Sequence, residues 1–574
     1  MNSRKILPGV AAALLVTSVL MPTGWYAALP LRADLGPPPV SGASLLRVTL
    51  ALEGVLLLLV AAFGWRYTRR SDALDSPALA DGDALDRRTA RWWLAGITVL
   101  ALVLRVYRIS SDLWLDEISA IVGFGRSPVL EILTVFSRSG NHLLNTLLIK
   151  ACVALFGERE WAVRLPAMVF GVATVPALYW TARLALPRRA SLATALLLAV
   201  SYHHIFFSQS ARGYASYMFF SVVSTGMFVR ALDTDTPRAW GAYIVLATLN
   251  VASLILSAFV LAGHFLVGSA TDVERARGGG DGWAHARRLV GVFVIVGLLG
   301  LTIYAVVLPQ AFAGLTTPYK TQASGYSPVS SEFAADAVRG VLAGFGPLLL
   351  IGAIPFLAVG ALGFVVLLRR RWTLAAALVS PLALTFAAFV LVHMTLRPRF
   401  YLLALPVAML CVVVGVWALS SMLTQRLHAS ATTTGYLRAA AIAFLTLASL
   451  TSLVTYYRVP KQSYRAALTF IEATRRPGDT VIVFGNAELG FRFYGERAGL
   501  SGNPDYVYVR EPARVESLVT ARKGRRTYLV FTLARDIRLR FPAFVTYLQQ
   551  GWTKLRVFPA TVGDGAITVI ARDE

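Results

Sequence analysis

Four groups of residues carry chemistry-bearing side chains at unusual places. The first is Leu115-Asp116-Glu117, with Asp112 close before it. Leu113-Trp114 precedes the pair and the mostly apolar run Ile118-Ser119-Ala120-Ile121-Val122 follows it. Acids in so apolar a setting cost about 2.5–3.5 kcal/mol each even on permissive insertion scales, and a function is the usual compensation. A carboxylate placed there can take a proton from a hydroxyl nucleophile, an effect worth about 10²–10⁴ in rate; the plain alternative is a pair of solvated loop acids. The second group is Ser208-Gln209-Ser210-Ala211-Arg212-Gly213-Tyr214. Arg212 either snorkels to lipid headgroups or holds an anion, and its guanidinium fork suits phosphate.

The third group is Leu396-Arg397-Pro398-Arg399-Phe400-Tyr401, two arginines beside a Pro-stiffened turn. The fourth is Thr316-Thr317-Pro318-Tyr319-Lys320, in a long loop that also carries Tyr326. Loops of that length beside an active site often close over it, although Lys320 reads equally as solvated. Acids and separated cations on one membrane face suggest one reaction. A lipid-linked phosphate leaves, arginines stabilise it, and an acid activates an acceptor hydroxyl. At a sugar carbon the transition state is oxocarbenium-like, so charge grows on the phosphate as the bond breaks.

The elements that must position these groups are membrane helices. Of 574 residues, 56% are hydrophobic and 15% charged, with mean hydropathy +0.61; soluble chains carry roughly 25% charged residues. A crossing needs about 20 apolar residues, and about 13 such stretches are present. Among them are 189–207, read as one span, 239–270, read as two short helices, and 340–368. The first apolar stretch is long and lacks a convincing cleavage site, which favours a retained span over a signal peptide. Cys152 and Cys411 lie inside apolar stretches and cannot form a metal cage.

The net charge of +24 is set mainly by arginine clusters between apolar runs, such as Arg66, Arg69 and Arg70, Arg87, Arg88 and Arg91, and Arg369–Arg371. They share the cytoplasmic side if the stretch 142–156 lies along the membrane surface or half inserted rather than crossing. The N-terminus is then inside. Segments 109–160, 208–212, 310–337, 395–398 and everything after 456 face outside. Basic residues split across a bilayer disfavour a nucleic-acid partner. The organisation expected is two N-terminal helices and a cytoplasmic linker (1–90), a transmembrane catalytic domain (91–455) and an outer α/β domain (456–574). In that last part, short apolar runs at 480–485, 506–509, 527–533, 554–558 and 566–571 read as strands.

The order of a span, LWLDE, a surface helix, FGEREWAVRLPAMVFGVATVPALYWTARLAL and a span ending FSQSARGY resembles the GT-C membrane glycosyltransferases. It is most similar to glycosyltransferase family 39, the protein O-mannosyltransferase and aminoarabinose transferase group. RPRFYLLALP resembles the family's late Arg-Tyr motif, with Phe400 where Tyr is more usual, and YRAALTFIEATRRPGDTVIVFGN is similar to the start of the outer domain of many bacterial members. The resemblance covers 91–270 and patches of 395–490. It implies an α-helical polytopic fold with direct, inverting transfer from a polyprenyl-phosphate sugar at the outer face of the cytoplasmic membrane. The general base carries over to Asp116, with Glu117 as helper, and the phosphate-binding role to Arg212 and Arg399, with Arg397, Lys320 and Tyr319 as further candidates. Family members often show Asn/His followed by Pro where this chain has Asn141-His142-Leu143. Asn141, His142 and Tyr214 are therefore candidates for positioning substrate. Some relatives bind a divalent metal near the acids and others need none; Mg or Mn would fall to Asp116 and Glu117.

A polyprenyl-linked glycan polymerase or ligase is the near alternative, and a lipid or solute transporter the distant one. A transporter predicts paired hydropathy repeats, which are not evident. The sugar, and whether a glycan, lipid or protein accepts it, are not readable from the chain. Its Ala- and Arg-rich composition points weakly to a bacterium.

Overall fold

The computed structural model describes residues 3–24, 40–63, 85–136, 141–278, 282–315, 349–392, 398–521 and 525–573, with a few positions between 330 and 339. The chain forms two compact units. One is helical (1–107, 127–149 and 165–452); the other joins 108–126 and 150–164 to 453–574. Compactness thus groups parts of the loop 109–160 with the C-terminal segment, a division that composition alone does not reveal.

In the helical unit, continuous apolar sequence gives long helices whose ends are fixed by capping. Asp86 accepts from the backbone N–H groups of Arg88 (2.7 Å) and Thr89 (3.0 Å) to start Arg87–Val106. Thr236, followed by Pro237 in the first turn, starts Pro237–Ser253. Among the described residues, eight helices are long and apolar enough to cross a membrane. The number is nine if Arg188–Val200 and Tyr202–Ser208 count as one span. The sequence suggests about 13 by the length criterion. Part of the difference lies in helices such as Pro237–Ser253, at 17 residues, and Ser257–Arg277, which ends in a charged turn. Those two are the separate helices expected for 239–270, and 142–156 contains the 14-residue helix Leu143–Phe156.

One expectation needs correction. The stretch 189–207 is not a single straight span: it breaks at Ser201, and its two pieces meet at 61°. Helices Leu349–Arg370 and Ala404–Arg426 pack at two glycines. A Cβ on Gly363 would lie 1.7 Å from the Cys411 carbonyl oxygen, and one on Gly415 would lie 1.9 Å from that of Val359. Small residues at such crossings let backbones touch in membranes, and Cys411 is buried there as a packing residue.

In the second unit the strands fall where the short apolar runs placed them. They are β1 (Thr480–Phe484), β2 (Tyr506–Val509), β3 (Thr527–Thr532), β4 (Thr553–Phe558) and β5 (Ile567–Arg572). The sheet order is β2-β1-β3-β5-β4. β1 pairs in parallel with β2 and β3, and β5 runs antiparallel to β3 and β4. Ile482, Phe484, Leu529 and Ile570 pack with Val515, Val519 and Phe544 of the covering helices. The parallel half, with helices Ala487–Arg497 and Pro512–Ala521 between its strands, is why β1 and β3 read as fully apolar runs.

Candidate functional site

The candidate residues fall into two groups, one in each unit. In the sheet-containing unit the helix Leu115–Ala120 begins at Asp116 and Glu117. Glu117 is fully buried, and so is Arg164. Arg164 donates from Nε to Oε1 (2.8 Å) and from Nη2 to Oε2 (2.7 Å) of Glu117, a fork-to-fork pair. The same guanidinium donates to the carbonyls of Ile109 (2.7 Å), Ser111 (2.7 Å) and Asp112 (3.0 Å). Glu117 Oε2 also accepts from the Trp114 N–H (3.2 Å). The pair is buried but saturated, which is the condition for a buried ion pair to be tolerated. Asp116, by contrast, is only partly buried.

Asp112 accepts from the backbone N–H of Arg465 (2.9 Å) and faces its guanidinium at 3.3 Å. Burial nevertheless pushes its carboxyl above the usual range, against the pull of Arg465. Arg465 also pairs with Glu160 and lies 5.2 Å over the Tyr494 ring. Lys461 is buried beside the Glu117–Arg164 pair; burial pushes its ammonium down to about 7, Glu117 opposing and Arg164 adding to the shift. Among the described residues no cluster of three His, Cys, Asp or Glu could hold a metal ion. Both oxygens of Glu117 accept from Arg164.

In the helical unit, Asn141, His142, Arg212 and Tyr214 are all buried. Asn141 donates to the carbonyls of Ile132 (2.7 Å) and Val135 (3.3 Å), closing the loop before helix Leu143–Phe156. His142 Nδ1 accepts from the Gly213 N–H at 2.7 Å, which leaves the ring proton on Nε2. Its ring meets Tyr214 edge-on at 5.3 Å, and Arg212 lies 6.0 Å from the Tyr214 ring centre. Burial holds the imidazole well below its ordinary pKa, and the charges of Arg212 and Arg399 add to that. Gly213 is required by contact: a Cβ there would lie 2.6 Å from His142 Nδ1 and 2.7 Å from the Ser253 carbonyl oxygen.

The turn Pro398–Tyr401 carries Arg399. Phe400 and the following Leu402 and Leu403 pack into one apolar cluster with Phe207, Tyr214, Tyr217 and Met218. That cluster joins the two arginine-bearing segments, although they are far apart in sequence. Arg397, Tyr319, Lys320 and Tyr326 lie outside the described residues.

Several residues escaped sequence reasoning. Arg164 sits in an apolar helix, as does Arg105, which is also fully buried. Arg105 donates to the Ala199 carbonyl (3.0 Å) and lies 3.2 Å from Ser208 Oγ and 2.6 Å from His204 Nδ1. Ser449 serves the Val200 carbonyl (2.9 Å). These side chains satisfy backbone acceptors at the break in 188–208, without which broken helix in hydrocarbon would be costly. The signal available was a lone arginine in an apolar run, which always asks for a partner. Gln462 and Tyr494, which bond the loop before Asp116, gave no such signal.

Residues 143–299 match the family described as dolichyl-phosphate-mannose-protein mannosyltransferase. No curated protein matches the chain by sequence. Among solved structures, ArnT from Cupriavidus metallidurans bound to undecaprenyl phosphate is similar with TM-score 0.50 at 13% identity, over 84% of this chain and 98% of that one. Its apo form gives TM-score 0.48 over the same shares. The oligosaccharyltransferase AglB from Archaeoglobus fulgidus, in complex with an inhibitory peptide and a dolichol-phosphate, gives 0.45 at 13% identity, over 83% of this chain and 74% of that one. Residues 143–299 thus carry the likeness to a mannosyltransferase family, and the fold over most of the chain is like that of ArnT.

Proposed function

We propose that the chain transfers a sugar, with inversion, from a polyprenyl-phosphate donor to an acceptor hydroxyl at the outer face of a bacterial cytoplasmic membrane. Asp116 takes the acceptor proton as the acceptor oxygen bonds to the anomeric carbon. The bond from that carbon to the phosphate oxygen breaks, and the polyprenyl phosphate departs with the electron pair. Arg212 and Arg399 stabilise the charge that grows on the phosphate. Neutral His142 offers Nε2–H as a donor to substrate, with Asn141 and Tyr214 holding its loop and ring. Arg397, Tyr319 and Lys320 are further candidates for the donor phosphate.

The single observation that carries this reading is the division of labour in Leu115-Asp116-Glu117. Glu117 is saturated by Arg164 while Asp116, next to it, remains partly exposed. One acid is buried and the other reaches the surface of its unit. The undecaprenyl phosphate held by the similar ArnT structure supports the choice of donor class.

The test is transfer from a panel of radiolabelled undecaprenyl-phosphate mannose, glucose and arabinose by membranes carrying the wild-type chain, Asp116→Asn or Arg212→Ala. Loss of product in both variants supports the assignment. Full transfer by Asp116→Asn removes the base, and translocation of donor without glycosidic product favours a transporter.

A further inference from the structure

We infer that Gln462 and Tyr494 of the C-terminal segment are positioning residues for Asp116, acting through the backbone that precedes it. The inference builds on the proposed role of Asp116 as base. Three successive backbone N–H groups lead into Asp116, and each is claimed by a different side chain. Leu113 donates to Tyr494 Oη (2.7 Å), Trp114 to Glu117 Oε2 (3.2 Å) and Leu115 to Gln462 Oε1 (2.6 Å). Two of the three acceptors lie more than 300 residues away in sequence.

Gln462 is itself fixed. Its Nε2 donates to Thr532 Oγ1 (3.2 Å), at the last residue of β3, and to the Gly565 carbonyl (3.1 Å), just before β5. It is 1% exposed, so its amide has no freedom to turn. Open α/β sheets ordinarily bind ligands beyond the carboxyl ends of their parallel strands. Here that end of β3 grips Gln462, which hands its remaining acceptor to the loop carrying the acid. Tyr494 comes from the helix after β1, its ring stacked on Tyr464 at 22° and covered by Arg465. Gly490 makes this packing fit, because a Cβ there would lie 2.1 Å from Tyr464 Cε1. The sheet therefore sets where the Asp116 backbone sits to within the tolerance of two short hydrogen bonds. A displacement of about 1 Å at a reacting group can cost about 10²-fold in rate.

The experiment uses the full chain in membranes, with the panel donor that the wild type turns over and membranes of a strain lacking the chain as acceptor source. Tyr494→Phe keeps the ring and removes the acceptor; Gln462→Leu removes the acceptor and both donors. The expected result is that each lowers kcat about tenfold or more while the donor KM stays within about twofold, since uniform binding is untouched. The Tyr494→Phe melting temperature should stay close to wild type, which guards against a Gln462→Leu chain that merely folds poorly. Wild-type kcat in Tyr494→Phe and Gln462→Leu, with Asp116→Asn inactive, overturns the positioning role and leaves the base standing. Full activity of Asp116→Asn overturns both.

Discussion

Two buried arginines of this chain live under opposite rules. Arg164 is matched: its guanidinium meets a carboxylate in a fork and caps three carbonyls, so its charge is spent on architecture. Arg212 is the proposed phosphate ligand, and it and Arg399 both help hold the His142 imidazole below its ordinary pKa. A matched arginine holds a fold together. The charges of Arg212 and Arg399 both act on that imidazole, and in the proposed reaction they meet the departing phosphate.

Breaking the matched arginine should have the largest effect on stability. Arg164→Ala leaves Glu117 buried without its counter-charge, at a cost of about 3–5 kcal/mol. The expected outcome is a lower midpoint in chemical denaturation followed through the tyrosines of the sheet-containing unit, with transfer lost as well. Pairing Arg164→Met with Glu117→Leu should recover part of the stability, because neither charge then remains buried alone. If Arg164→Ala melts like the wild type, the pair is not what orders the loop.

Arg212→Ala should invert that pattern. Transfer falls by about 10²–10³, the range seen when one donor to a developing anion is removed, while the melting midpoint moves far less than in Arg164→Ala. Arg212→Lys keeps the charge and loses the fork, so it should recover only part of the rate. Equal losses of stability in Arg212→Ala and Arg164→Ala would erase the contrast between the two.

Local signals were legible in the sequence and distant partners were not. The strands of the C-terminal segment could be placed because short apolar runs are properties of neighbouring residues. Asp116 stood out because an acid among Leu, Trp and Ile is locally anomalous. That Glu117 is the acid paired with Arg164 could not be read, since Arg164 comes from another helix. The break at Ser201 had only a short local mark, the polar stretch Ser201-Tyr202-His203-His204, and the side chains that stabilise it, Arg105 and Ser449, come from other helices. Gln462 and Tyr494 are ordinary residues in an α/β segment, and only the fold brings them to the backbone of 113–115.

Gly213→Ala sharpens the helical side of the comparison without touching a charge. The new methyl would collide with the imidazole of His142 and with the Ser253 carbonyl, a backbone atom that cannot swing away. Overpacking of this kind costs about 1–3 kcal/mol, and the strain falls on the ring whose pKa the two arginines lower. Transfer should drop with a raised donor KM, measured in the same membrane assay. A Gly213→Ala chain with unchanged kinetics would show that His142 does not set the substrate's place.

The last effect is a slope. Lys461, beside the matched pair, has its ammonium held down to about 7 in the folded chain by burial, against an ordinary value of 10.5. Between those values the unfolded chain binds the extra proton, so stability rises with pH from about 7 toward 10.5; below 7 both states are protonated and the cost of the buried charge is constant. Melting midpoints measured from pH 6 to 9 should therefore climb on the alkaline side in the wild type, and Lys461→Met should flatten that climb while raising the midpoint near pH 7. The same slope in Lys461→Met and wild type would mean that the ammonium is stabilised as a third member of the Glu117–Arg164 pair, and the matched centre would then carry one more positive charge than its carboxylate balances.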